Sequence, residues 1–451
     1  MKRLLLLVQA MIMALCVGAT EGDGFRLANA QDVVMYQVNP RVFAPHNSLR
    51  AVAARADSIK ALGVNVVWVM PIYPIGEVKS KNSPYSIRDY KAVAPEFGTI
   101  DDFKHLVKVC HERGMAVILD WVANHTAWDS PWITEHPEWY VQKNGEIVCV
   151  NFDNQVWEDV ADLNYDNHYM RLAMIDAMKY WVTEVGLDGF RCDVADGVPT
   201  DFWHDAIAEL RAAARPRDIL MLAEGKVKAN FTTGGFDMDY GWNYKDALVS
   251  VFVKGASAQK LIDTDREEYA SLPEGKVKLR FTTNHDQSTH ATPVKEFINA
   301  RGAMAAYVSA IFIHGGALIY GSQEVGYPNP INFFHYVPVN WMANPQTYRE
   351  YQKLIGLYNQ YPALRKGNMT PFATADVLAF EKSDADGNRF LVVANVRNKA
   401  GRFSLPAAWA HAACTNVYTD KITKTGEALR LKPFEYVILL KSLTPAPSPR
   451  G

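Results

Sequence analysis

The sequence predicts an α/β protein: a closed barrel of eight parallel strands alternating with helices, a lobe inserted after the third strand, and a C-terminal antiparallel β-sandwich. Three observations predict it. Apolar strand-like runs alternate with amphipathic helical stretches eight times over, the pattern of parallel strands joined by helical crossovers. Five runs end in acidic, histidine or arginine residues: Ala116 to His125, Gly189 to Val194, Leu220 to Gly225, Val277 to Asp286 and Ala317 to Glu324. In a closed barrel the carboxyl ends of the strands share one mouth, so these residues converge there. After about Pro371 the helical period gives way to short alternating strands.

In chain order, Lys2 and Arg3, an apolar run from Leu4 to Ala19 and the polar Glu21-Gly22-Asp23 have the layout of a secretory signal. Residues 1–19 are its expected extent. Cleavage after Ala19 is the simplest choice, Ala28-Asn29-Ala30 offers a second site, and lipidation of Cys16 ranks below both because Leu15 is a poor match before it. No later stretch reaches the ~20 apolar residues of a bilayer span. The expectation is an exported protein, periplasmic or secreted.

The barrel occupies 31–125 and 168–370. Its expected strands are Val33 to Val38, Asn65 to Met70, Ala116 to Trp121, Gly189 to Asp193, Ile219 to Ala223, Phe236 to Asp239, Lys278 to Thr282 and Ala317 to Tyr320. Helical patterns run over Leu49 to Leu62, Ile100 to Arg113, His168 to Val185, Asp201 to Ala214, Ala258 to Tyr269 and Ala300 to Phe312. The segment 126–167, rich in Trp, Pro, Asn and Asp, is too long for a plain crossover. It forms the lobe, with Val141 to Phe152 reading as a hairpin around Asn144-Gly145. The sandwich spans 371–443, with strands at Val377 to Glu381, Arg389 to Asn395, Gly401 to Leu405, Thr415 to Tyr418 and Tyr436 to Lys441.

Composition narrows the partners. In 451 residues, 49% hydrophobic and 21% charged, the net charge is only −2, and no basic stripe marks a nucleic-acid or anionic membrane surface. The 11 Trp and 21 Tyr include enough rings to stack on a sugar, although core packing accounts for most of them. Apart from Cys16, the cysteines at 110, 149, 192 and 414 match no zinc spacing, and their pairing stays open. Oligomeric state is not readable.

A carboxylate at the exit of a buried strand costs desolvation, and a single one is better explained as a cap for the next helix. Asp193, Glu224 and Asp286 together, beside Arg191, His125 and His285, point instead to a shared site.

These runs resemble the α-amylase superfamily, glycoside hydrolase family 13, over nearly all of the mature chain. Asp120 to His125 is similar to the family's first region, Gly189-Phe190-Arg191-Cys192-Asp193 to its second, Glu224 to its third and Asn284-His285-Asp286 to its fourth. The resemblance implies a retaining hydrolase of α-glucosidic bonds, with Asp193 as nucleophile, Glu224 as acid and base, and Asp286 gripping sugar hydroxyls. It also implies sugar contacts for Tyr85, His125, Arg191 and His285, with Tyr85 stacked beneath the ring.

The chemistry asks for the same residue types, since acetal cleavage needs one protonated and one ionised carboxyl. Arg191 lies two residues before Asp193, on the same strand face, and is expected to hold it ionised. Glu224 has no cation on its own strand, which suits a protonated acid. Asp120 is expected to hold loops and Arg191 in place.

Departures from the family limit the substrate. Asp196 and Gly197 stand where endo-acting amylases usually carry Lys and His, and Asp193-Val194-Ala195-Asp196 looks closer to neopullulanases and cyclomaltodextrinases. Ala161 to Asn164 resembles a form of the family's fifth region found near α-1,6-acting hydrolases. Malto-oligosaccharides or starch-derived glucans with α-1,4 bonds are favoured, with α-1,6 or pullulan action, transglycosylation, and a non-catalytic sugar-binding role as alternatives. No cofactor is needed for the chemistry. Asn124 and Asp162 match positions that bind a structural calcium ion in many members, joined by a carbonyl near Gly197, and that ion stays open.

Overall fold

The computed structural model describes residues 25–270 and 272–441. The expected signal segment and the last residues of the sandwich lie outside them. Eight parallel strands close a barrel: β1 (Val34–Val38), β2 (Val66–Val69), β3 (Ala116–Trp121), β4 (Gly189–Cys192), β5 (Leu220–Ala223), β6 (Met238–Tyr240), β7 (Val277–Arg280) and β8 (Gly316–Tyr320), with β8 beside β1. Alternation along each strand sorts the side chains. Met35, Trp68, Ile118, Leu222, Tyr240 and Leu279 fill the interior, while Tyr36, Val67, Leu119, Phe190 and Met221 pack outward under the helices.

Several elements differ from expectation. The single helix expected from Leu49 to Leu62 is two, Ser48–Ala54 and Ala56–Ala61. Arg55 breaks them at φ −97° and ψ 2°, with its guanidinium 4.5 Å over the Trp341 ring, a tertiary contact that overrides local propensity. The helix His168–Tyr180 ends in a π-helical turn, Trp181–Val185, whose Trp181 indole donates to the Tyr90 carbonyl at 2.8 Å. Two further crossover helices, Trp242–Phe252 and Pro345–Gln360, have no counterpart in the expected set.

In the lobe, Asn144 and Gly145 (φ 54° and 83°) make the expected turn, but its hairpin is only Gln142–Lys143 against Glu146–Ile147. Cys149–Phe152 leaves it to pair with Gln155–Asp162 through a second turn at Asp153 and Asn154, also at positive φ. That longer strand also pairs with His125–Ala127, tying the lobe to the end of β3.

The C-terminal region is a six-stranded antiparallel sheet facing a two-stranded one. It begins at Asn368–Pro371, ahead of the expected start, and adds Lys421–Lys424 and Ala428–Leu431 to the expected strands. Lys421–Lys424 is exposed along its length and sets Ile and Thr between two lysines, so no apolar face betrays it. Leu391, Val393 and Leu439 pack toward the small sheet around the buried Trp409. Leu378, Phe380, Phe390, Val392 and Ile438 on the other face join the outer core of the barrel. Cys110, Cys149, Cys192 and Cys414 are free thiols. Among the described residues no helix is long and apolar enough to cross a membrane.

Candidate active site

Strand register places Arg191 of β4 opposite Asp120 of β3 and Leu222 of β5. Asp193 and Glu224 follow one turn of the pleat higher, at the mouth. Arg191, fully buried, organises them: Nη1 donates to Asp120 Oδ1 at 2.7 Å and Asp193 Oδ1 at 2.8 Å, and Nη2 lies 2.8 Å from Glu224 Oε2. Three ring faces surround the cation, Trp68 at 5.2 Å, Tyr240 at 5.7 Å and Tyr85 at 5.8 Å. Glu224, with no cation on its own strand, still has a cationic neighbour. Its cation comes from the adjacent strand, so spacing along the chain does not reveal it.

Burial is the largest influence on each acid. It pushes Asp193 up to about 7 and Glu224 to about 8, with Arg191 pulling both down and Asp286 pushing both up. Arg191 thus pulls Asp193 toward the ionised form expected of it, against a larger push from burial. Burial raises both above the ordinary carboxylate range, and because they share one cation they titrate as a pair.

The loops after β4 and β5 are stitched together. Val194 N–H donates to Glu224 Oε2 at 2.9 Å, and Ala195 N–H to the Glu224 carbonyl at 2.9 Å. To aim that amide, Val194 takes φ 42° and ψ 47°, a left-handed conformation that costs a β-branched residue on the order of 1–3 kcal/mol. Asp286 stands in the first turn of helix His285–His290, capped by Asn284, whose Oδ1 accepts from Gln287 N–H and whose Nδ2 lies 3.3 Å from Asp286 Oδ2.

The aromatic and histidine residues are brought to the same mouth. Tyr85 is half-buried and stacks on His285, ring centroids 5.3 Å apart, and its hydroxyl is 3.1 Å from Asp120 Oδ2 and 2.7 Å from His285 Nε2. His125 is buried, and its Nε2 lies 3.2 Å from the Tyr85 carbonyl, so it holds the loop that carries Tyr85. Burial lowers both histidines to about 4, leaving neutral rings. Gln37, Trp68 and Tyr240 also line the site and escaped the sequence reading. Gln37 had a signal, a polar side chain inside an apolar strand, and the Val194 amide had none.

Asp196 takes Lys226 N–H and Asn230 Nδ2, both at 2.8 Å, so its carboxylate orders the loop after β5. At the base of the lobe, a methyl on Gly197 would sit 2.7 Å from Asn124 Oδ1, and Asp162 pairs in register with His125. Burial pushes the Asp162 carboxyl up to about 6, and among the described residues it makes no ion pair. The amide oxygen of Asn124 and the carboxylate of Asp162 are donors of the hard-oxygen type.

The family model "Alpha amylase, catalytic domain" matches residues 25–356. The chain is 29% identical over 314 residues to Alpha-amylase MalA of Haloarcula japonica, covering 66% of this chain and 44% of that protein, less than half its length. It is 25% identical over 442 residues to Alpha-amylase 2 of Dictyoglomus thermophilum, covering 92% of this chain and 74% of that protein. Among solved structures, the maltogenic alpha-amylase AmyB of Thermotoga neapolitana superposes with a TM-score of 0.81 at 26% identity, covering 92% of this chain and all of that one.

Proposed function

Because this chain belongs to the α-amylase catalytic-domain family, we propose that it is a retaining glycoside hydrolase acting on α-1,4 bonds of malto-oligosaccharides or starch-derived glucans. The observation that carries this reading is the Arg191 fork, which reaches the Asp193 and Glu224 carboxyls at once. One guanidinium cannot bridge carboxyls on opposite barrel rims, and a close pair suits double displacement rather than attack by water across a wide gap.

Glu224 gives its proton to the glycosidic oxygen while an ionised Asp193 oxygen bonds to the anomeric carbon, breaking the bond to the leaving sugar. Glu224, now a carboxylate, takes a proton from water; the hydroxide equivalent bonds to the anomeric carbon and Asp193 departs. Positive charge develops on the ring in both steps, and the Asp286 carboxylate at the mouth stabilises it. Asp196, committed to backbone and amide donors, leaves the acceptor side without the Lys-His pair of endo-acting amylases, which supports short substrates.

A hard cation held by Asn124, Asp162 and a carbonyl near Gly197 would supply cross-linking between lobe and barrel, outside the reacting groups. The basic, apolar and polar order of residues 1–23 supports export.

The test is proton NMR of the first product from maltotriose, with Asp193→Asn as the blank. The α-anomer is expected to appear first. Initial β-anomer overturns the double displacement, and starch, pullulan, cyclodextrin and isomaltose run in parallel assign the linkage.

A further inference from the structure

We infer that Gln37 is a positioning residue that fixes the tautomer of His285, so that the ring carries its hydrogen on Nε2 and the Tyr85 hydroxyl hydrogen is left for Asp120. Gln37 lies on β1, fully buried, with Nε2 2.7 Å from His285 Nδ1. The chain of contacts continues from His285 Nε2 to Tyr85 Oη at 2.7 Å, and from Tyr85 Oη to Asp120 Oδ2 at 3.1 Å. Trp68 Nε1 donates to that same Asp120 oxygen at 3.1 Å, and Arg191 Nη1 to the other at 2.7 Å.

Counting hydrogens assigns every direction in this chain. Asp120, paired with Arg191, only accepts, so the single Tyr85 hydrogen belongs between Tyr85 and Asp120. Tyr85 Oη must then accept from His285 Nε2–H. Burial keeps the His285 ring neutral, so Nδ1 is bare and requires a donor, which the Gln37 amide nitrogen supplies.

The reverse arrangement fails at two places. With Gln37 Oε1 turned to a protonated Nδ1, a bare His285 Nε2 would take the Tyr85 hydrogen. Tyr85 and Asp120 would then oppose lone pairs, and the bare Nε2 would face Asp286 Oδ1 at 3.3 Å. In the assigned arrangement that Asp286 oxygen faces an N–H instead. The cost is that Gln37 Oε1 is left without a partner. A methionine of similar length would avoid this cost, which leaves the amide nitrogen to account for a polar residue here.

The inference rests on the glycosidase reading for its kinetic arm only. Full-length protein labelled with 15N-histidine is examined by long-range 1H–15N correlation, with His285 assigned by its loss in His285→Asn. Wild type is expected to show a bare Nδ1 and a protonated Nε2. Gln37→Glu, which as a carboxylate above its own pKa offers only acceptors, is expected to move a proton onto Nδ1 and lower kcat about a hundredfold, and Gln37→Met to lower it about tenfold with KM within about twofold. A protonated Nδ1 in wild type, or an unchanged ring pattern and kcat in Gln37→Glu, overturns the proposal. The ring nitrogens are read without substrate, so failure of the glycosidase reading would show separately, as wild type that does not turn over.

Discussion

Arg191 spreads one charge over three carboxyl groups, and its division of labour determines the response to pH. Activity needs Asp193 ionised and Glu224 protonated. It therefore rises as pH climbs through the lower apparent pKa of the pair and falls through the higher, both raised by burial to between about 7 and 8. The expected kcat/KM profile is a narrow bell with its maximum between about 7 and 8, measured on maltotriose across buffers of constant ionic strength. A flat maximum near pH 5 contradicts it, because it would mean solvation relieves both acids. The pairing of Arg191 with Asp193 was legible in the sequence, since two residues on one strand share a face. Its reach to Glu224 was not, because that contact crosses from β4 to β5 and depends on register. Gln37 and His285 are 248 positions apart, and only the closed barrel makes them neighbours.

At the scale of elements, the strands were easier to read than the helices between them. Most barrel strands announce themselves by apolar runs, β-branched in β1, β2, β3, β7 and β8, whereas Trp242–Phe252 opens with Trp, Asn and Tyr, which have middling helix propensity and blur the period. One glycine shows how tightly the strands around the site are joined. Gly189, at φ 137°, opens β4 where any Cβ would lie 1.9 Å from the Leu220 carbonyl oxygen of β5. The lobe is tied to the barrel by the pairing of Gln155–Asp162 with His125–Ala127, next to Asn124. If a cation sits there, EGTA treatment followed by desalting is expected to lower Tm by about 3–8 °C, restored by added calcium. An unchanged Tm at every calcium level removes the ion from the account.

Across the whole molecule, the terminal sheet is part of the same packed body as the barrel. Its residues Phe380, Phe390 and Ile438 are fully buried in the cluster that includes the barrel helices, and Lys382 donates from beneath it to the Ile313 carbonyl at 2.7 Å. Calorimetry is accordingly expected to show one main transition, and Phe380→Ala, at a cost of about 3–5 kcal/mol, to lower the temperature at which both activity and sheet structure are lost. Two transitions, with activity surviving the first, would mean the sheet folds apart from the catalytic body. The sandwich itself was legible from alternation after Pro371, but not its docking, because both faces of the large sheet are apolar and nothing local says which meets the barrel.

The enclosure of Arg191 has a practical corollary. Walled in by indole and phenol rings, it has no surface through which dissolved electrolyte can shield it. Exposed ion pairs weaken in brine, but the contact of Arg191 with the equally enclosed Asp120 is expected to persist from dilute buffer to concentrated salt.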